Sequence, residues 1–149
     1  MDFKTEIIQY CRKSLSDKVS GLKEKLNELV LDAQNDSKSS AGDKHETARA
    51  MMQLEQEKIL TQLGEAGRQL DNLSAINFSE SPQTVLPGAL IETDKGTILL
   101  AVAMGKVNVM GKDVMVISPQ APLAKAMMNA RENDLLVFSA TDYKIRKIS

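Results

Sequence analysis

Two apolar stripes of the same narrow spacing constrain the first half of this 149-residue chain more than any other feature. Leu15, Val19, Leu22, Leu26 and Leu29 follow one another at intervals of 4, 3, 4 and 3. Ile59, Leu63, Ala66, Leu70 and Leu73 repeat the pattern, and Met52 stands seven residues before Ile59. This is the heptad spacing of a helix that buries one seam. Charged and amide side chains fill the remaining faces, so each helix suits a two-helix coil and lacks the wider apolar face of a globular bundle. Between the stripes lies Asn35-Asp36-Ser37-Lys38-Ser39-Ser40-Ala41-Gly42, small, polar and poor in helix formers, which reads as a turn. A short turn between long helices makes them antiparallel neighbours. A helix from Asp43 to Leu73 rises about 46 Å. Residues 1–76 are therefore predicted to form an antiparallel coiled-coil hairpin with the polar turn at its tip.

The composition changes near residue 77. All four prolines, Pro82, Pro87, Pro119 and Pro122, lie beyond it. Residues 77–87 hold two of them with Ser79 and Ser81, cannot continue a helix, and read as a linker. Residues 88–149 read as strands and one short helix. The expected strands are Ala89–Thr93, Thr97–Ala103, Lys106–Met110, Val114–Ile117, Leu135–Ser139 and Tyr143–Ile148, with turns at Asp94-Lys95-Gly96 and Gly111-Lys112-Asp113. Pro122–Asn129 reads as a helix with proline in its first turn and Leu123, Ala126, Met127 and Ala130 on one face. The fold class is α+β, a helical hairpin followed by a small sheet domain.

Charge and composition narrow the function. Residues 1–76 carry 11 basic and 13 acidic side chains, and residues 77–149 carry 8 and 7, so the halves stand at -2 and +1. Neither is a polyelectrolyte, which excludes avid binding to nucleic acid by charge alone. No apolar run approaches the roughly 20 residues needed to span a bilayer, and Met1-Asp2-Phe3-Lys4-Thr5-Glu6 lacks the pattern of a secretory signal. A cytoplasmic location, no membrane contact and a monomer are expected. Cys11 is the only cysteine and His45 the only histidine, which excludes an internal disulfide and any multi-cysteine or multi-histidine metal site.

Through Ile117–Met128, Asn133–Val137 and Tyr143–Ile148, the second half resembles the C-terminal domain of the bacterial Gre transcript-cleavage factors. Ile117-Ser118-Pro119-Gln120-Ala121-Pro122-Leu123-Ala124-Lys125-Ala126-Met127-Met128 is similar to that family's "IS…SPLARAL" segment. Asn133-Asp134-Leu135-Leu136-Val137 follows where the family has "GD-x-V-x-V", and Tyr143-Lys144-Ile145-Arg146-Lys147-Ile148 resembles its last strand. The resemblance implies an N-terminal coiled coil joined to a domain similar in fold to the FK506-binding proteins. It implies RNA polymerase as partner, at the secondary channel, with nucleic acid met only through the transcription complex. It also implies an accessory factor, GreA/GreB-like, whose tip carboxylates help hold a second Mg²⁺ in the polymerase active centre, so that the polymerase cuts its own backtracked transcript. The free protein needs no cofactor. Ser118, Pro119, Pro122, Leu123, Lys125 and Asp134 are the implied partner-binding residues.

Gly42-Asp43-Lys44-His45-Glu46-Thr47-Ala48 is similar to the family's tip motif "GD-x-x-EN-A", which assigns Asp43 and Glu46 as the catalytic and metal-binding carboxylates. Thr47 stands where the family has asparagine, and an ungapped match along the second helix instead puts Lys38 and Ala41 at the acidic positions. Asp43 and Glu46 equally fit a helix N-cap with its reciprocal carboxylate three residues on. His45 reads as a solvated helix-start residue, Cys11 as a seam residue, half of each pair Met51-Met52 and Met127-Met128 as core, and Lys144, Arg146 and Lys147 as a solvated strand face. Gly64 and Gly67 interrupt the second stripe either for close helix approach or for a bend. Two other functions share these features: a channel-binding regulator without cleavage, and a coiled-coil interaction module with no role in transcription. A prolyl isomerase is disfavoured by an aromatic content of 3% with no tryptophan, too little for an aromatic-lined pocket.

Overall fold

The computed structural model describes the backbone of residues 2–36 and 42–149, and the side chains of residues 2–34 and 46–149. Helices α1 (Phe3–Asp36) and α2 (Gly42–Ala75) are followed by strands β1 (Leu90–Thr93), β2 (Gly96–Leu100), β3 (Gly105–Val109) and β4 (Lys112–Ile117). Helix α3 (Pro122–Met127) and strands β5 (Leu135–Phe138) and β6 (Thr141–Ile148) complete the chain. The fold is an N-terminal helical hairpin and a C-terminal mixed sheet with one short helix. The chain divides into two compact units, Lys13–Leu70 and, together, Met1–Arg12 with Asp71–Ser149.

In the first unit the expected stripes are the sheltered residues. Leu15, Leu22, Ile59 and Ala66 are buried, and Val19, Leu26, Leu29, Leu63 and Leu70 are half-buried. Lys25, Glu28, Leu29 and Asp32 of α1 line one groove with Glu55 and Ile59 of α2. Val30, Leu31, Met51, Leu54 and Leu60 are exposed. α1 runs through Asp36 and α2 starts at Gly42, so the expected turn residues Asn35, Asp36 and Gly42 are helical, and residues 37–41 lie outside the described residues. Close approach does not explain the two interrupting glycines. A Cβ at Gly64 would meet only the Arg68 side chain at 3.5 Å, and one at Gly67 would meet nothing within 4 Å.

The second unit is built on a six-stranded sheet in the order β3-β4-β2-β1-β6-β5. Its neighbours are antiparallel except β2 and β4, which run parallel with Thr97 opposite Val114. α3 covers one face. The core there is Val85, Ala89, Ile91, Ile98, Leu100, Ala124, Met127, Ile145 and Ile148. The alternate residues Leu90, Leu99, Val107, Val114 and Val116 are also buried, so the centre of the sheet is sheltered on both faces. The Lys112 ammonium stands 5.2 Å from the centre of the Phe3 ring.

Several boundaries differ from the sequence reading. β2 ends at Leu100, because residues 101–103 bend to carry the chain past the place of β4 to the far edge of the sheet. The β3–β4 turn is Met110-Gly111, both at positive φ (54° and 78°), and Lys112 and Asp113 already belong to β4. Such a two-residue loop matches the twist of its strands. α3 ends at Met127 and Asn129 takes a positive φ of 66°. Its buried positions are Ala124 and Met127, while Ala126 is exposed. No described helix is long and apolar enough to cross a membrane.

Candidate functional site

Asp43 and Glu46 are the second and fifth residues of α2, three positions apart. α2 already includes Gly42, which places Asp43 inside the helix rather than at the residue before it. Glu46 is exposed. The side chains of Asp43, Lys44 and His45 lie outside the described residues. Among the described residues there is no group of three or more His, Cys, Asp or Glu side chains able to hold a metal ion.

The segment 117–128 folds as a strand end, a turn and α3. The Ser118 carbonyl accepts from the Ala121 N–H at 2.9 Å and its Oγ accepts from the Gln120 N–H at 3.1 Å, closing the turn that contains Pro119. Ala121 is extended and Pro122 opens α3, where its missing N–H costs nothing. The Ala121 carbonyl then accepts from the Lys125 N–H at 3.0 Å. Ala124 and Met127 point into the core and Leu123 packs half-buried against it. Pro122 and Lys125 are exposed, and Ser118 and Pro119 half-exposed. Ser118, Pro119, Pro122, Leu123 and Lys125 are thus brought together on one turn and one short helix, with Pro122 and Lys125 left open to solvent.

Asp134 belongs to a different turn, the one that leads into β5. Its Oδ2 accepts from the Arg131 N–H at 2.8 Å, its own N–H donates to the Arg131 carbonyl at 3.1 Å, and its carbonyl accepts from Ile145 at 3.0 Å. Asn133 holds a positive φ of 73° and donates to the Ile145 carbonyl at 2.7 Å. Asparagine is among the few residues besides glycine that tolerate this conformation. The Asn133-Asp134 pair therefore has a structural role in its own turn.

The stripe of α1 extends further upstream than Leu15. Ile7, Ile8 and Cys11 are buried, and so is Lys4, which occupies a seam position at 9% exposure. The Lys4 Nζ donates to the main-chain oxygens of Ser149 at 3.0 Å and Glu80 at 3.3 Å. Burial lowers its pKa, an effect Asp2 partly opposes. The upstream spacing Lys4, Ile8, Cys11, Leu15 is visible in the sequence, but a lysine there carries no apolar signal. Burial pushes the Cys11 thiol up to about 11, which makes it a packed residue rather than a nucleophile. A cleft beside these residues is lined by Thr5, Ile8, Gln9 and Arg12 of α1 and by residues 76–79.

No protein-family profile and no curated protein matches the sequence. Among solved structures the chain is similar to the transcription factor Gfh1, with 18% identity over 92% of each chain and a TM-score of 0.39. It is also similar to Gfh1 of Thermus aquaticus, with 15% identity over 91% of this chain and 92% of that one, and a TM-score of 0.34.

Proposed function

We propose that this chain is a Gre-like accessory factor that binds RNA polymerase at its secondary channel and modulates elongation. The observation that supports this reading is the order of parts: an antiparallel helical hairpin, then a mixed sheet whose short helix α3 carries the Pro122-Leu123-Ala124-Lys125 segment. The hairpin is narrow because each helix shelters a single seam, a shape that suits insertion into a channel. Ser118, Pro119, Pro122, Leu123 and Lys125 supply a compact candidate docking element. Asp134 shapes the neighbouring turn.

In this reading the chain is not an enzyme by itself. Asp43 and Glu46 stand near the start of α2, and within the polymerase complex they would add negative charge beside the active centre and would help hold a second Mg²⁺, whose chemistry there would be activation of water for transcript hydrolysis. Two carboxylates are too few ligands to hold Mg²⁺ tightly in the free protein. Capture on immobilised core RNA polymerase tests the partner; absence of binding overturns the reading. A stalled, backtracked complex tests the chemistry. Asp43→Asn and Glu46→Gln are each expected to reduce cleavage with polymerase affinity intact, since the amides keep size and lose charge. Protein that binds polymerase, slows elongation and releases no RNA at any Mg²⁺ concentration would make it a channel occupant without cleavage.

A further inference from the structure

The two edges of the sheet are protected unequally. Edge strand β3 carries Lys106, whose ammonium lies 3.3 Å from Asp113, and charge on an edge discourages pairing with another chain. Edge strand β5 is Leu135-Leu136-Val137-Phe138, with no charge, no proline and no bulge. Leu136 packs against the core. Leu135 and Val137 alternate with it on the other face and are 76% and 69% exposed.

The turn fixes which backbone groups of β5 are unused. Ser139 and Ala140, at φ 53° and 62°, form a two-residue loop between Phe138 and Thr141. Residues flanking such a loop exchange both hydrogen bonds, and the hydrogen-bonded pairs then alternate along the ladder. Phe138 with Thr141 and Leu136 with Tyr143 are those pairs. The N–H and C=O groups of Leu135 and Val137 therefore point away from β6, on the strand whose exposed side chains they also carry.

We propose that β5 is a self-association edge, pairing antiparallel with β5 of a second copy of this chain about a twofold axis through Leu136. Of the registers that keep like faces together and let outward groups exchange hydrogen bonds, the one that sets Leu135 opposite Val137 of the second copy uses the outward groups of both residues in both copies. It joins Leu135 and Val137 of both copies into one apolar cluster. The flanking charges agree with it. Lys144 stands opposite Leu135 on β6 and Asp142 opposite Val137, and neither forms an ion pair among the described residues. In the paired edge each cross-strand row begins with Lys144 of one copy and ends with Asp142 of the other. Three strand spacings separate them, about 14 Å, beyond the Debye length of about 8–10 Å at physiological salt, so this complementarity favours the register only weakly. Four residues a side bury far less than the roughly 1,600 Å² of a standard interface, so the dimer is weak and reversible. This inference is independent of the polymerase reading and departs from the monomer expected above.

Sedimentation velocity of the full chain at rising concentration tests it. Wild type is expected to move from the 16.3 kDa monomer toward twice that mass. Val137→Lys and Leu135→Lys are each expected to remain monomeric, with unchanged circular dichroism because both sites are exposed. A 1:1 mixture of Leu135→Cys and Val137→Cys is expected to give more disulfide-linked dimer than either variant alone, and buried Cys11 does not compete. A wild type that stays monomeric at every concentration overturns the proposal and leaves the edge to some other strand. Lysine variants that still associate, or identical-position crosslinks as abundant as mixed ones, overturn the register and the edge assignment.

Discussion

Gly88→Ala tests the close approach that joins the end of α2 to the sheet domain. Gly88 holds a φ of +91°, and its N–H donates to the Leu100 carbonyl at 2.7 Å. A Cβ built there would lie 2.9 Å from Ile76 Cγ2, 3.0 Å from the Asn77 carbonyl oxygen and 3.6 Å from the Phe78 ring. The first two distances are overlaps, and one partner is backbone, which cannot rotate away. The strained backbone costs about 1–3 kcal/mol, and relieving the overlap costs about 1–3 kcal/mol more. The smaller entropy of the unfolded alanine chain returns about 0.4–1 kcal/mol. The expected net loss is about 3 kcal/mol. The Leu100 hydrogen bond survives, because alanine keeps its N–H. Urea unfolding followed by far-ultraviolet circular dichroism measures the change as a lower midpoint at constant slope. A variant within about 0.5 kcal/mol of wild type, the ordinary range for a neutral surface substitution, would refute the close packing of Gly88 on Ile76 and Asn77.

The opposite sign is expected in the hairpin, where the Cβ of Gly64→Ala makes only an ordinary contact with the Arg68 side chain and that of Gly67→Ala enters open space, so each should stabilise by about 0.5–1 kcal/mol; a lower melting temperature in either variant would mean the glycine is needed for a bend. Cys11 should resist thiol reagents at pH 8 in the native protein and react stoichiometrically in denaturant, since it is buried and its thiol is pushed up to about 11; native-state reaction at the denatured rate would contradict its burial. Asp94 accepts from the Lys144 N–H at 2.8 Å, and that bond, with Lys95 and Arg146, holds its carboxyl below the ordinary 3.8. Its contribution is complete above the unfolded value and is lost as pH falls through the folded one. Asp94→Asn should therefore destabilise at neutral pH, with the gap to wild type closing in acid; a gap independent of pH would exclude the carboxylate's charge as the cause.

The sequence by itself determined the local structure: the hairpin stripes, the number of strands and the place of the short helix. Seam burial follows from 3.6-residue periodicity, and strand identity from β-branched and aliphatic runs between turn residues, both written in neighbouring positions. The Met pairs behaved likewise, with Met127 fully buried beside half-buried Met128, and half-buried Met52 beside exposed Met51. Motif similarity pointed to Asp43, Glu46 and the 118–125 segment, because those arguments also use adjacent residues.

What only the tertiary structure decided is non-local. β4 inserts between β2 and β3, and β6 between β1 and β5, although no local signal distinguishes these pairings from a simple meander. The Ser139-Ala140 turn carries neither glycine nor asparagine; its φ values are set by the strands it joins. Lys4 belongs to the buried seam because main-chain oxygens of Glu80 and Ser149, 76 and 145 residues away, receive its ammonium. Asp134 accepts from the Arg131 N–H and so closes its own turn, a role that its place in the sequence does not announce. In each case the deciding partner is distant in sequence or is a backbone group. Side-chain patterns encode which surfaces must be buried, and leave open which main-chain atoms will meet them.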